Sequence, residues 1–370
     1  MIELDLEEKT YHLNLGPQHP STHGVLRVLL EMQGEYITKA EPVIGYGHRG
    51  HEHMAENRNY HQFLPNMGRV DYLHALAYNQ GYCMAVEKLL GITVPERAEY
   101  LRVILSEFNR IASHLLWVGA YLLDLGAFTP ILYCFDDREN ILDLLDRITG
   151  SRLTYCFYRF GGVTMDLDDE FIAGSRAFIK RLRGRFKDYD NLVTKNVIFI
   201  NRAKGVGFIS KEQCLQYGLT GPMVRGSGIP YDIRKSEPYS AYPAFDFEIP
   251  IGDKGDIMDR YLVRLREMGQ SLRIIEQALD KLPNGPIMAE KVPKRVKPAE
   301  GEVYQAVETA RGEFGIYIVS QGDVKPYRIK LRVPSFGNLS ILPELAVDTL
   351  VADLVAILGS VDVVIPEIDR

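Results

Sequence analysis

The chain has 370 residues, 46% hydrophobic and 25% charged, the balance of an ordinary folded protein with room for two or three core-forming regions. That composition excludes a disordered or fibrous chain, and a net charge of -6 offers no general attraction to nucleic acid. The four cysteines, Cys83, Cys134, Cys156 and Cys214, include no CxxC pair. The chain therefore has no ligand set of its own for zinc or an iron–sulfur cluster, and thiols this scattered fit a reducing compartment.

In chain order, the N-terminus MIELDLEEKTYHLNLG is acidic and lacks the basic-then-apolar pattern of a signal or transit peptide. Residues 11–46 run apolar or alternating in short lengths broken by Gly and Pro, which predicts a small antiparallel sheet. Over 70–90 and 95–125 the apolar residues recur every three or four positions, predicting helices with one buried face. Thr93 and Glu96 read as a capping box at the start of the second, with Pro95 in its first turn. The apolar run 115–135 would reach across a bilayer, but Asp124, Gly126, Thr129 and Pro130 interrupt it. A buried helix and turn is the expectation, with Asp124 left in an apolar setting. Helical periodicity over 137–149, 168–198 and 254–282 completes a bundle of long helices. Residues 283–301 carry four prolines and four basic residues and read as a surface loop. The tail has strand-like YQAVET, GIYIVS and YRIKLRV, a helix near 343–358 and a last apolar strand ending in IPEIDR. The expected division is an N-terminal β region with a site loop (1–66), a helical bundle (67–282), the surface loop (283–301) and a C-terminal α+β extension (302–370).

All nine histidines fall between His12 and His114. His19 and His23 occupy a Gly-Pro loop, LGPQHPSTHG, between two predicted strands, the kind of rigidly held loop that carries binding and proton transfer. In GYGHRGHEH, Gly45, Gly47 and Gly50 match GxGxxG, with Asp71 about where a ribose-binding acid would stand. The glycines lead into HEHMAENRNYHQ, too polar to open a helix on a parallel strand, which argues against a dinucleotide site. His48, His51 and His53 form a loose HxxHxH set with Arg49 in its midst, whose charge opposes a divalent cation. Arg49 itself, a permanent cation beside glycines, suits close approach to an anionic redox centre or a carboxylate. Asp124 must find a partner or a proton; a helix-end cap is the plain reading, and pairing with a histidine of the N-terminal loop would make a tunable proton donor. Tyr72, in GRVDYLHALAY, is either core packing or a phenolic donor. RGSG at 225–228 lacks the GK[ST] of a phosphate loop.

Together LGPQHPSTHGVLR, IGYGHRG, GRVDYL, VEKLLGI, ASHLLW, DLGAFTP, RFGGV, LTGPMVRGSGIPYDIRK, GEFGIYIVS, PYRIK and the terminal EIDR resemble the quinone-site family of respiratory complex I, its D-type subunits, over nearly the whole chain. That family is similar in fold to the large subunit of nickel-iron hydrogenases. The resemblance implies an α+β fold: an N-terminal antiparallel sheet, a long-helix bundle, and a C-terminal strand-helix extension returning to the first sheet. Hydrogenase relatives bind nickel through two CxxC pairs; here HRGHE and the end strand stand in those places, implying a metal site emptied and reused for quinone.

Carried over, His23 and Tyr72 correspond to the quinone head-group ligands and Asp124 to the carboxylate paired with that histidine. Val364 and Ile365 of the end strand correspond to a wall of the quinone chamber. Arg49 matches an arginine next to a [4Fe-4S] cluster held by the neighbouring B-type subunit. Thr154 stands where many relatives have a histidine near that cluster, so nothing at that position titrates near neutrality, which suits a low-potential quinone such as menaquinone. His51 and His53 match no family feature, and Pro366 stands where glycine is usual.

The implied activity is NADH:quinone oxidoreduction with proton translocation. The implied partners are the B-, C- and I-type subunits of complex I and its membrane-embedded H-type subunit, with peripheral attachment at the cytoplasmic side of the bacterial cell membrane. Loss of two protons, from Tyr72 and His23, would remove the positive partner of Asp124 and so offers a trigger for pumping. The alternative is a non-catalytic scaffold of a hydrogenase-related electron-transfer complex, which would have no need of Tyr72, His23 and Asp124 together.

Overall fold

In the computed structural model, which describes residues 10–19 and 24–370, three strands open the chain: β1 (Thr10–Leu15), β2 (Arg27–Gln33) and β3 (Tyr36–Val43), paired antiparallel in that order. Leu13 faces Leu30 and Leu15 faces Val28 across the first pair; Val28 and Leu30 turn inward while their neighbours are partly exposed, the period-two pattern of a half-buried sheet. Two short helices follow, α1 (His51–Asn57) and α2 (Tyr60–Met67). Asn59 caps α2 in a capping box with Gln62.

The bundle begins with α3 (Ala75–Leu90), α4 (Glu96–Asp124) and α5 (Thr129–Thr149). The first predicted helix thus starts five residues late. Asp71 accepts N–H bonds from Leu73 and His74, and this turn occupies the place of the missing helical turn. The expected Thr93–Glu96 capping box is absent as well: Pro95, extended at φ -61° and ψ 144°, is itself the cap of α4, so Thr93 lies outside the helix. The run 115–135 is divided between α4 and α5, and no helix among the described residues is long and apolar enough to cross a membrane.

The two-stranded β4 (Tyr158–Arg159) and β5 (Gly162–Val163) precede α6 (Asp169–Tyr189), which is capped by Asp168. The single helix predicted over 168–198 ends at Tyr189 in a π-helical turn (Asp190–Thr194), and Asn196 then caps a separate α7 (Val197–Ala203). Three short helices, α8 (Lys211–Gln216), α9 (Pro222–Gly226) and α10 (Ile233–Ser236), lead to the long α11 (Ile257–Asp280). α4 is buried almost all round because α5 and α11 pack along it.

The tail forms a second antiparallel sheet, β6 (Glu300–Glu308), β7 (Glu313–Gln321) and β8 (Arg328–Arg332), laid on α3, where Tyr78 stacks on Phe314 at 4.0 Å. Then come α12 (Pro334–Leu339), α13 (Leu342–Ala346) and α14 (Val351–Val361), so the helix expected near 343–358 is two pieces separated by the stretch that returns to the first sheet. Ile37 and the 348–349 backbone exchange two hydrogen bonds of 2.9 Å, and Tyr36 bridges Leu350. α14 is pinned to α4 by the Trp117 indole, which donates to Gly359 O at 2.8 Å. The expected last strand is a helical turn, α15 (Ile365–Asp369): Pro366 lies in its first turn, where a missing N–H leaves nothing unpaired.

Candidate functional site

The glycine loop after β3 does cradle an anion, one supplied by the chain itself. Asp369 of α15 accepts the N–H of Gly45 at 2.7 Å and of Gly47 at 2.6 Å, and its carbonyl oxygen lies 2.5 Å from His48 Nδ1. A Cβ at Gly47 would stand 3.1 Å from that carboxylate, a tight approach that a glycine avoids. The three histidines of the loose metal set diverge: His48 faces Asp369, His53 lies on the surface beside Glu56 at 3.6 Å, and His51 is buried. Among the described residues no three His, Cys, Asp or Glu side chains are grouped to hold a metal ion.

Arg49 is exposed, and its Nη2 donates to Arg69 O at 2.7 Å. One residue before Arg69, a Cβ on Gly68 would meet Tyr155 O at 3.2 Å, and Thr154 directly precedes Tyr155. Arg49, the 68–72 turn and Thr154 therefore share one side of the molecule. Thr154 has φ 49°, a left-handed conformation that β-branched side chains resist and histidine tolerates far better.

Tyr72 follows Asp71, whose Oδ2 accepts from Arg311 Nη1 at 2.9 Å. Burial pushes the Tyr72 phenol above its ordinary value, the Arg311 charge opposes that, and the Asp71 charge adds to it. The phenol is thus protonated at neutral pH, with the Arg311 charge favouring its ionised form and the Asp71 charge opposing it. Val364 and Ile365 are both buried, and a Cβ on Gly24 would meet Ile365 Cγ1 at 3.0 Å, so the end of the LGPQHPSTHG loop rests on α15. His23 lies outside the described residues.

Asp124 closes α4, one turn after Tyr121. A line of contacts joins its neighbourhood to that of Tyr72: Trp117 stacks on Tyr121 at 5.1 Å, Arg264 lies 4.0 Å over Trp117 and 3.8 Å from Asp362, and Asp362 accepts from Arg311 at 3.3 Å. Beside Asp124, between the α4–α5 turn and α7, is a cavity of about 370 Å³ lined by Leu122, Leu125, Phe128, Ile198, Phe199 and Arg202.

Reading the sequence missed the buried charge behind this site. Arg225, in the RGSG segment, is buried and enclosed by Glu267 at 2.6 Å and Glu308 at 2.8 Å. His114 joins Glu267 at 3.0 Å, and Arg311 ties Asp71 to Asp362. A signal was present in Arg102, Glu107, Arg110 and His114, which punctuate α4 at helical spacing inside an otherwise apolar stretch.

His51 stands apart: it is buried, and neither ring nitrogen has a hydrogen-bond partner among the described residues. Burial, then the charges of Arg49, His48 and Arg69, push it down to about 4. His51→Leu is therefore expected to stabilise the full chain by about 1–3 kcal/mol at neutral pH, by removing unsatisfied polar atoms. The unfolded histidine, at 6.5, binds protons that the folded one refuses down to about 4, so wild-type stability falls as pH drops through that window and the leucine advantage grows. Denaturant titrations at several pH values check this; a destabilised leucine variant would show that the ring makes an unseen bond.

The model of the family described as "Respiratory-chain NADH dehydrogenase, 49 Kd subunit" matches residues 124–300 and 291–370. The chain belongs to this family. It is similar to a protein of Syntrophobacter fumaroxidans named as the D subunit of NADH-quinone oxidoreductase, with 64% identity over 98% of this chain and 97% of that one. A protein of the same name from Desulfotalea psychrophila is 60% identical over 98% of each chain. Another D subunit of NADH-quinone oxidoreductase, from Opitutus terrae, is 57% identical over 98% of this chain and 91% of its own. Membership bears out the resemblance drawn from the motifs, and the α+β architecture agrees with it.

Proposed function

We propose that this chain is the quinone-reducing subunit of a proton-pumping complex I, an NADH:quinone oxidoreductase, in which Tyr72 and His23 hold the two carbonyls of the quinone. Val364 and Ile365 wall the chamber, and Asp124 pairs with His23. Arg49 and Thr154 face the [4Fe-4S] cluster of the B-type subunit, which supplies electrons when the complex is assembled. The C-, I- and H-type subunits complete the surroundings, and the chain sits peripherally on the cytoplasmic side of the membrane. The reading is supported by the names of the full-length relatives, and the observation that carries it is the Tyr72–Asp71–Arg311 arrangement.

As the substrate is reduced, the Tyr72 hydroxyl gives its proton to a carbonyl oxygen, and Arg311 stabilises the phenolate left behind. His23 gives the second proton, which removes the positive charge this reading pairs with Asp124 and biases the charge line through Arg264 and Asp362. Tyr72→Phe keeps the ring and deletes the donor, so the complex should assemble and reduce quinone about 5- to 150-fold less efficiently, the loss of one hydrogen bond of about 1–3 kcal/mol. Wild-type quinone kinetics in an assembled Tyr72→Phe complex would remove Tyr72 from the site.

A further inference from the structure

Behind Tyr72, three buried carboxylates share two guanidinium groups. Arg311 serves Asp71 at 2.9 Å and Asp362 at 3.3 Å, and Arg264 stands 3.8 Å from Asp362. The third carboxylate is Glu367, on α15 two residues beyond Ile365 and 0% exposed. Its oxygens accept only neutral donors among the described residues, the Ser335 hydroxyl at 2.7 Å and the Ser335 N–H at 3.2 Å, and no cationic side chain there forms an ion pair with it. Ionising all three acids against two cations would leave an uncompensated negative charge in the core, a state that burial opposes strongly. The acid without a cation of its own is the one that keeps a proton.

We propose that Glu367 is the proton store behind Tyr72: it holds a carboxyl proton at neutral pH and returns it to the phenolate that forms when Tyr72 gives its own proton away. The step breaks the O–H bond of Glu367 and forms one on the Tyr72 oxygen, with no electron moving. The charges facing Glu367 agree with this. Burial, then the Asp71 charge, push its carboxyl up to about 7, against the opposing pull of Arg311 and of the hydrogen bond from Ser335. Asp71 is itself raised by burial and by the charge of Asp362, against Arg311 and two N–H bonds, and its charge acts on both the Glu367 carboxyl and the Tyr72 phenol. Because the Tyr72 phenol is shifted upward, the transfer from carboxyl to phenolate runs downhill. On its own element, Asp369 is committed to Gly45 and Gly47, and Arg370 leans toward Glu52 and Phe336, so neither neutralises Glu367. Glu367 acts through Tyr72 and is a positioning residue for protons, a role that deepens and rests on the quinone-site reading.

Two measurements test it separately from that reading. Infrared difference spectra of the full chain, titrated from about pH 5 to 9, should show the carbonyl stretch of one buried carboxylic acid disappearing with a midpoint near 7. Glu367→Gln, which mimics the protonated acid and keeps the acceptor for Ser335, should lack the band. Asp71→Asn should move its midpoint down by about one pH unit, a tenfold change in proton affinity. Absence of the band, its persistence in Glu367→Gln, or an unmoved midpoint in Asp71→Asn overturns the proposal. In the assembled complex, Glu367→Gln should leave the first turnover of quinone intact and lower steady-state turnover about tenfold or more, with the wild-type pH dependence near neutrality flattened. Unchanged steady-state turnover overturns the store. If instead Tyr72→Phe proves silent while the infrared band behaves as described, the fault lies in the quinone reading and the protonated acid stands.

Discussion

Arg311→Met is expected to cost the folded chain about 3–5 kcal/mol, the penalty for removing one partner of a buried ion pair and leaving the other behind. The Arg311 guanidinium is fully enclosed and donates to Asp71, Ser113 and Asp362. Its backbone is held just as closely: the N–H donates to Thr309 Oγ1, and the carbonyl accepts from Asn338 Nδ2 at 3.2 Å. Gly221 packs so near that a Cβ there would come within 2.3 Å of the same carbonyl, so the turn between β6 and β7 cannot shift to bring another cation into place. Arg311→Lys should recover only part of the loss, because one ammonium cannot serve two carboxylates and a serine with the geometry of a planar fork. Without Arg311, the Asp71 carboxyl, already raised by burial, rises further above its unfolded value of 3.8. Between those two values the unfolded state binds fewer protons, so stability falls as pH rises, and the methionine variant should be closer to wild type at about pH 5 than at pH 7. Urea unfolding of the full chain at both pH values measures this. A loss under about 1 kcal/mol would mean that Asp71 and Asp362 are not both ionised in the folded chain.

What the sequence revealed and concealed divides along physical lines. Long helices were legible because α3, α4 and α11 bury apolar residues at regular spacing, a signal spread over many residues. Short elements were not: IPEID is too brief for a period of two to be told from one of 3.6, and only Pro366, suited to a first helical turn, hinted that Val364 and Ile365 enter a helix. The start of α3 was hidden because Asp71 competes for the N–H groups of Leu73 and His74 through its side chain, which periodicity does not register. Within the candidate site, Tyr72 and Arg49 were legible as residue types beside glycines and at the foot of a helix. Their supports were not. Arg311 lies 240 positions from Asp71, and Asp369 lies 324 from Gly45, so nothing local announces either pairing. The charges of α4 show the same limit: a helix that is apolar almost all round predicts burial, yet which distant arginine answers Glu107 depends on how α10 and α11 pack against it.

Glu107 gives the second large expected effect, because it gathers more donors than any substitute can serve. Its carboxylate accepts from Arg110 Nε at 3.2 Å, Arg234 Nη1 at 3.1 Å, the Tyr242 hydroxyl at 2.6 Å and the Ser271 hydroxyl at 2.6 Å. Glu107→Gln keeps the volume but turns one acceptor into an NH2 group facing donors, and it removes the only carboxylate paired with Arg110 among the described residues. Arg234 keeps Asp232 at 2.6 Å, so the damage concentrates on Arg110, a buried cation left to one carbonyl, Glu308 O. The expected loss is again about 3–5 kcal/mol at neutral pH. Burial pushes the Glu107 carboxyl up, but Arg110 and Arg234, with the hydroxyls of Ser271 and Tyr242, outweigh it and hold the group below its unfolded value of 4.5. A carboxyl lowered on folding binds fewer protons in the native state, so its contribution is present in full above 4.5 and drains away as pH falls through the folded value. The glutamine variant has no such contribution to lose, and the gap between it and wild type should narrow below about pH 4.5. Equal stability of the two proteins at pH 7 would mean that Glu107 is protonated in the folded chain and that Arg110 and Arg234 are balanced elsewhere, by Asp232 and Glu308 on the far side of the same cluster.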